Sequence, residues 1–593
     1  MNNDLTEEKI LEYLEEYLEI LDTNFSIYNT KKKLGTDKVL EILKDTKSLL
    51  EEYFVRNQIL ASKYAIKKFI PIVDRALKVE KNLEKYDMLR AYLKVGYRIG
   101  ARTSLEHYMI YREWDEKNED KFYAPRYEAI RGYIYYLEQI TKNPNFKMLI
   151  VNMMSGGGKT YPEKISEAWN FGCDPTGTVL SLCSNDDVVK GGSRVVIDEI
   201  KSEPFGEVFP DMRFSEEDKH FFLKETDSVW KLRQCKLNAS YFAKTTNSNV
   251  VGVRASQRIH IDDLYPSYVE AMDKNLNIKY LNTFFTVWRK RFVQNITAKV
   301  VVTGTLWASG DFISLLLHTI KRDNRFHKHP IFKYTYVNED ESVVVIQIPA
   351  LDYETGLSTM PALKTTKELL EEKSNIEEYL WETNFQQRPV DPESLYFSYN
   401  RLRLYTKLPK TEYEGCYAVI DATRKTGKDF FAMPIFMKTS SDESPDFYLK
   451  DCLFTRTATK DMYDDICNKI IEHHIVELVI ESNVTSELKQ NIDNILKENG
   501  VFYCQIREKY NTVNKQTRIT DQKGNIIKKL VFPDKNLNGV NTDIGRFMEN
   551  LTLYNDGGKN YNDDACDSSA LFTSEFVEQK SRSPKVKAIK RLF

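Results

Sequence analysis

Met148-Leu149-Ile150-Val151-Asn152-Met153-Met154-Ser155-Gly156-Gly157-Gly158-Lys159-Thr160 is the stretch on which the reading of this chain turns. A short apolar run ending in a glycine cluster predicts a buried strand over Met148–Val151, and a helical stretch is expected from Pro162. A loop without Cβ bulk between them lets backbone N–H groups point into one concavity at a helix N-terminus, where they cradle phosphates. Ser155, Gly156, Gly157 and Gly158 form that cradle. Lys159 is placed to reach the terminal phosphates of ATP, and the Thr160 hydroxyl to hold a magnesium ion. Met153 replaces the glycine that usually opens such loops, so the strand–loop–helix context carries the assignment.

About a hundred residues on, Ile259-His260-Ile261-Asp262-Asp263 places one carboxylate where a second strand holds magnesium, and a second where it orients the attacking water. Arg258 and His260 interrupt this strand, which is less apolar than most. Val300-Val301-Val302-Thr303-Gly304-Thr305 predicts a third strand, and its small hydroxyl residues at the end can sense the terminal phosphate and relay its loss. With Thr178–Cys183 these runs give a βα rhythm, hence α/β architecture with a mostly parallel sheet covered on both faces. Ligands of such a sheet bind at the carboxyl ends of its strands.

Outward from this segment, 1–115 reads as a helical region, with Ile10, Leu14, Tyr17, Leu18 and Leu21 on one face and Val39, Leu43, Leu50 and Phe54 on another. The α/β segment spans 116–390. Residues 391–410 are the linker, within a stretch from Gln386 to Lys410 that holds three prolines and no sustained apolar period. From 411 to 575 a second series begins, with strands over Tyr417–Ile420, Phe430–Phe436, Phe447–Leu453, Val476–Ile480 and Phe502–Ile506. Helices are expected over Lys460–His473 and Ser486–Glu498. Residues 576–593 form a basic tail.

Asp421 and Glu481 each end a strand of this second series, Asp429 opens another, and Asp563-Asp564 precede a helical stretch. Carboxylates so placed can converge on two hard cations, Mg or Mn, which activate water and stabilise a leaving oxygen in phosphodiester cleavage. That arrangement belongs to ribonuclease H-like folds. Asp563 and Asp564 both stand as candidates for the third ligand, and either could instead cap the final helix.

The 593 residues exceed what one hydrophobic core usually organises. Lys plus Arg (85) nearly balance Asp plus Glu (87), so any nucleic-acid surface must be a local patch. The eight cysteines form no CxxC pair, as expected of reduced thiols in a cytosolic chain without structural zinc. No apolar run approaches the ~20 residues of a membrane helix.

The motifs SGGGKT, IHIDDLYPS and VVTGTLWASGDFISLLL, followed by AVIDATRKTGKDFFAM, LVIESN and NDDACDSSALF, resemble those of the large terminase subunit of tailed bacteriophages, in family order and over about 120–575. The resemblance implies ATP-driven translocation of double-stranded DNA into a procapsid and metal-dependent cutting of that DNA. It implies coupling of hydrolysis to motion by Thr303, Gly304 and Thr305, and an adenine-contacting segment at Phe122–Arg126. It also implies DNA-backbone contacts from Lys515 and Arg518 in Asn514–Ile519, where the other reading is a hairpin salt bridge. Many relatives carry an arginine inside the phosphate loop where this chain has Ser155. Arg254 is similar to a position that acts in trans as an arginine finger, and a salt-bridged surface arginine is the competing reading. The implied partners are a small terminase subunit, the portal protein and further copies in a ring, in the cytoplasm of a bacterial host. Two rivals remain at this level: a P-loop helicase or repair ATPase with a nuclease-like C-terminal half, and a non-catalytic DNA-binding scaffold.

Overall fold

The computed structural model describes residues 6–24, 36–293, 297–391, 394–410, 413–421, 430–440, 446–481, 487–510, 514–537, 539, 542–555 and 563–577. The expectations for Asp429 and for most of the basic tail lie outside the described residues. The chain divides into two compact units, Met1–Leu369 with Thr383–Pro389 and Leu370–Glu382 with Val390–Phe593.

In the first unit, amphipathic helices including Glu7–Asn24, Thr36–Arg56 and Leu83–Gly100 bury the faces that their periodicity marks. Ile10, Leu14, Leu21, Leu43, Leu50 and Phe54 share one core with Phe69, Val73 and Ile99. These helices are joined to the sheet layer, since the Trp169 indole donates to the carbonyl of Ala101 at 2.8 Å.

That sheet has ten strands: β1 (Met148–Met153), β2 (Val179–Cys183), β3 (Phe222–Glu225), β4 (Val229–Leu232), β5 (Tyr241–Thr245), β6 (Arg258–Asp262), β7 (Val300–Gly304), β8 (Phe326–Lys328), β9 (Thr335–Asn338) and β10 (Val343–Ile348). They run in the order β3-β4-β5-β2-β6-β7-β1-β10-β9-β8. From β5 through β10 all neighbours are parallel, and antiparallel hairpins extend both edges. Every residue of β1, β2, β6 and β7 is buried, as expected where both faces are covered. The chain leaves β1 toward β2 on one side and reaches β10 on the other, so the strand order reverses at β1, the position at which sheets of this kind bind ligands at their carboxyl ends.

The polar positions of β6 belong to this core. Arg258 and His260 are fully buried and face the helix Thr160–Cys173, whose Glu163, Lys164 and Glu167 are buried as well. Arg258 bonds Glu163 at 2.9 Å and Ser166 at 3.1 Å, and Lys164 bonds Glu167 at 3.0 Å. Two carboxylates thus meet two cations, a formally neutral set. Burial alone would raise the Glu167 carboxyl, but the cations beside it, Lys164 first, hold it at about 2.

The second unit has β11 (Arg403–Tyr405), β12 (Tyr413–Ile420), β13 (Phe431–Thr439), β14 (Phe447–Thr455), β15 (Ile475–Glu481), β16 (Gln505–Lys509) and β17 (Leu530–Pro533). Their order is β11-β17-β14-β13-β12-β15-β16. Three consecutive antiparallel strands are followed, beside the first of them, by two parallel ones. The helices Tyr463–His473 and Glu487–Glu498 precede and follow β15. The last strand of the series begins at Gln505 rather than Phe502: pairing starts at Glu477↔Gln505, and the Phe502 ring is left 78% exposed. Residues Lys515–Lys529 form a helix, where the salt-bridge reading assumed a hairpin. Among the described residues no helix is long and apolar enough to cross a membrane.

Removing one partner of a buried ion pair leaves an uncompensated charge at a cost of about 3–5 kcal/mol. Arg258→Met should therefore lower the melting temperature of the first unit sharply in calorimetry, and Glu163→Met with Arg258→Met should recover most of the loss.

Candidate functional site

The glycine loop leaves β1 and closes on the first turn of Thr160–Cys173. Gly156 and Gly158 have φ of +74° and +86°, a region open to glycine but strained for other residues. A Cβ on Gly158 would lie 2.6 Å from the Phe122 ring, so this loop position also needs the absent side chain for space. Phe122 packs on Tyr161 with ring centroids 4.6 Å apart and carries the Arg126 guanidinium 4.4 Å above its face. Glu113 fixes this segment by accepting from the Phe122 and Tyr123 amides. Phe122 thus lies against the loop, with Arg126 on its ring.

Beside β1 in the sheet come β7 and then β6, so the three strand ends adjoin. Asn152 pairs with Gly304, and Thr303 with Asp262. The Thr160 hydroxyl donates to Asp262 Oδ2 at 2.9 Å and the Thr303 hydroxyl to Oδ1 at 2.6 Å. Lys159 Nζ lies 3.1 Å from Asp263 Oδ2 and donates to the Thr305 hydroxyl at 3.3 Å. Thr305 in turn donates to the Met153 carbonyl at 3.0 Å, and Asn152 Nδ2 to the Gly304 carbonyl at 3.3 Å. Gly304 permits close packing of the helix Phe312–Asp323, because a Cβ there would meet Ile313 Cδ1 at 2.6 Å.

Asp263 has φ of +34°, a costly conformation for a residue with a Cβ. Its carbonyl accepts from the Ser184 hydroxyl at 2.8 Å and its amide donates to the Thr303 carbonyl at 3.1 Å. Burial raises its carboxyl above the usual range; Lys159 opposes that rise and Asp262 adds to it. The sequence-predicted residues Lys159, Thr160, Asp262, Asp263, Thr303, Gly304 and Thr305 thus come together. Ser155 is exposed at the loop. Arg254 is exposed, and it bonds the Lys290 carbonyl at 3.3 Å. A hydroxyl and a carboxylate paired at a helix N-terminus are hard oxygen donors that fit magnesium.

The second unit gathers a second acidic centre. Asp421 follows β12 and Glu481 ends β15, and these strands are parallel neighbours with Ile420 opposite Ile480. Ligand oxygens of Asp421, Glu481 and Asp567 lie within 4.8 Å of one another. Asp567 stands in the first turn of the helix Asp564–Phe576 and is fully buried. Sequence reasoning missed it, although the signal was present: Asp564 and Asp567 are three apart, which stacks them on one helix face.

Asp564 instead accepts from the Phe430 amide at 2.9 Å, and Asp563 lies beside Lys515. Neither carboxylate caps the helix. Lys515 Nζ sits among Asp563 (2.9 Å), Asp564 (3.0 Å), Asp567 (3.5 Å) and Asp421 (3.9 Å). Arg518 Nε donates to Asp567 at 2.6 Å, and its terminal nitrogens lie 3.3 Å from Glu481. The two cations assigned to DNA contact are thus turned into the acidic centre.

Among the described residues, five carboxylates against two cations leave a formal excess of three negative charges. Burial raises the Asp421 carboxyl well above the ordinary range, and its neighbours Asp567, Glu481 and Asp564 add to this. Asp567 is raised to about 6, first by burial, against the pull of Arg518 and Lys515. Asp421 Oδ2 is buried and accepts no hydrogen bond among the described residues. An excess of negative charge, all-oxygen donors and an orphaned carboxylate oxygen fit hard divalent cations.

No protein-family model and no curated protein matches the sequence. Among solved structures, the large terminase from a thermophilic bacteriophage in complex with ADP is similar at 9% identity and a TM-score of 0.24, covering 74% of this chain and 98% of that one. The same terminase in complex with ATP-gamma-S is 8% identical with a TM-score of 0.25, over 76% and 98% of the two chains. The chemistry of both sites rests on their own side chains.

If Asp567 is the third ligand, Asp567→Asn should weaken Mn binding in calorimetry by more than the roughly 10–100-fold that outer-layer changes cause. Asp563→Asn should stay within that range.

Proposed function

We propose that this chain is an ATP-driven motor for double-stranded DNA joined to a metal-dependent endonuclease, the two activities of a large terminase subunit. The observation that carries the reading is that each unit brings acidic residues from neighbouring strand ends into one centre, and in the first they adjoin a glycine loop at a helix N-terminus. The first unit fits a P-loop ATPase. The strand sequence of the second, three antiparallel then two parallel, supports a ribonuclease H-like nuclease.

In the ATPase, the loop amides from Ser155 to Gly158 and the Lys159 ammonium hold the phosphates, while Phe122 and Arg126 bound the site beside them. Thr160 and Asp262 hold the magnesium ion, which when bound neutralises phosphate charge. Asp263 orients the attacking water. Lys159 leaves Asp263 for the terminal phosphate as nucleotide binds, which frees that carboxylate for the water. Thr305, bonded to Lys159, and Thr303, bonded to Asp262, then register phosphate loss and pass it along β7 to the helix Phe312–Asp323. Phosphoryl transfer depends mostly on positioning and charge stabilisation, and these residues supply both. Arg254 is proposed to act on the site of a neighbouring copy.

In the nuclease, Asp421, Glu481 and Asp567 hold one or two Mg or Mn ions, with Asp563 and Asp564 at the margin. Such ions activate water and stabilise the leaving oxygen when bound. Lys515 and Arg518 offset the acids in the free chain, and when the ions take over that task they become available to the DNA backbone. Phosphate contacts give affinity without sequence reading, so selection of the initiation site falls to a small terminase subunit. The portal of a procapsid and a ring of copies are the remaining proposed partners, in the cytoplasm of the bacterial host.

The two activities should separate. Lys159→Ala should abolish ATP hydrolysis and leave Mn-dependent plasmid cutting near the parent rate, and Asp421→Ala should do the reverse. Cutting by Asp421→Ala at the parent rate would overturn the nuclease assignment.

A further inference from the structure

His260 lies in the middle of β6, two residues before Asp262, and neither the nucleotide nor the metal site needs it as a ligand. Its ring is fully buried and both nitrogens are engaged: Nε2 with the Thr303 hydroxyl at 2.8 Å and Nδ1 with Lys164 Nζ at 3.0 Å. The direction of each bond follows from its partners. A lysine ammonium has donors only, so Nδ1 can meet Lys164 only as an acceptor, sharing the ammonium's three N–H groups with Glu167, Ser181 and Tyr241; the Nε2 side is fixed by Thr303. The Thr303 hydroxyl has one proton, which points to Asp262 Oδ1 at 2.6 Å, so it accepts from Nε2.

Lys164 is itself fixed, by Glu167 at 3.0 Å, Ser181 at 3.1 Å and Tyr241 at 2.9 Å. An ordered chain of donors therefore runs from the helix behind the phosphate loop, through β6, to β7 and back to the carboxylate of Asp262. Glu163, Glu167 and His260 also lie close enough to hold a metal ion. Arg258 and Lys164 already neutralise those two carboxylates, so the cluster does not call for one.

We propose that His260 is a positioning residue of the ATPase: its Nε2–H holds the Thr303 hydroxyl on Asp262, and Lys164 holds His260 in the ring orientation that does so. Resting on the ATPase reading, the proposal deepens it by explaining why a core strand carries a histidine. Were the imidazole proton on Nδ1, it would face the Lys164 ammonium at 3.0 Å as well as Glu167 Oε1 at 3.6 Å and Glu163 Oε1 at 3.9 Å, and Thr303 would be free to turn its proton away from Asp262. Asp262 would then keep only the Thr160 hydroxyl as a fixed partner. Buried polar networks of this kind orient a group only when every member is satisfied.

Two half-mimics of the ring separate its nitrogens. His260→Gln places an amide N–H near Nε2, and His260→Asn places a carbonyl near Nδ1. In the full chain His260→Gln should keep kcat for ATP within about threefold of the parent. His260→Asn should lower kcat by about 10–100-fold, the range for outer-layer partners of a metal site, with KM little changed. Mn binding in the presence of a non-hydrolysable ATP analogue, followed by electron paramagnetic resonance, should weaken about tenfold or more in Asn and not in Gln.

A cycle with Thr303→Val closes the argument. Once that hydroxyl is gone, His260→Asn should cost nothing further. If His260→Asn fails to fold, as its melting curve will tell, Thr303→Val carries the test: it should show the same fall in kcat at unchanged KM and the same weakening of Mn. Equal losses in Gln and Asn, additive losses in the cycle, or a change in melting temperature with unchanged Mn binding would overturn the proposal. A parent chain that hydrolyses no ATP would instead overturn the ATPase reading, and with it the premise.

Discussion

Carboxylates gathered at strand ends repel one another, and burial sharpens the repulsion; each acidic centre of this chain exists because cations are built in beside it. In the first unit Lys159 stands 3.1 Å from Asp263, and behind the loop Arg258 and Lys164 neutralise Glu163 and Glu167. In the second, Lys515 and Arg518 lie among five carboxylates. Among the described residues the compensation is complete in the buried network and incomplete in the acidic centre of the second unit. That difference separates structure from chemistry. A neutral set is a frame, whereas an excess of negative charge is a place that gains from hard cations.

The same constraint gives the resting chain a defined state. On the proposed reading, Lys159 turned to Asp263 keeps that carboxylate occupied until phosphate claims the lysine. On the same reading, Lys515 and Arg518 turned into the acids offset their repulsion until ions bind. In both sites, as proposed, a cation that would engage ligand serves as counter-charge first, which would make ligand binding and rearrangement of the site one event.

Much of the first site was legible because its chemistry is local: the glycine loop, the acid pair after a strand and the Thr-Gly-Thr strand end are each contiguous. Only the sheet order, with β7 between β1 and β6, had to be seen. What escaped was non-local. Arg258 and His260 read as interruptions of a strand because their partners, Glu163, Lys164 and Glu167, lie about a hundred residues earlier on a helix whose buried face is itself charged. Asp567 escaped because the reading stopped at the adjacent pair Asp563-Asp564; helical periodicity carries the face onward by three residues. Lys515 and Arg518 were read as cations for the DNA backbone, but their inward direction follows from a helix that buries Arg518, Ile519, Gln522 and Ile526 together.

The central claim is that two separate oxygen-donor centres in one chain hold divalent ions, one only with nucleotide and the other without it. Anomalous diffraction from crystals soaked in Mn, with and without a non-hydrolysable ATP analogue, tests it directly. The account predicts density between Asp421, Glu481 and Asp567 in both soaks, and density against Thr160 and Asp262 only with nucleotide. Absence of metal from Asp421, Glu481 and Asp567 in both soaks would contradict it.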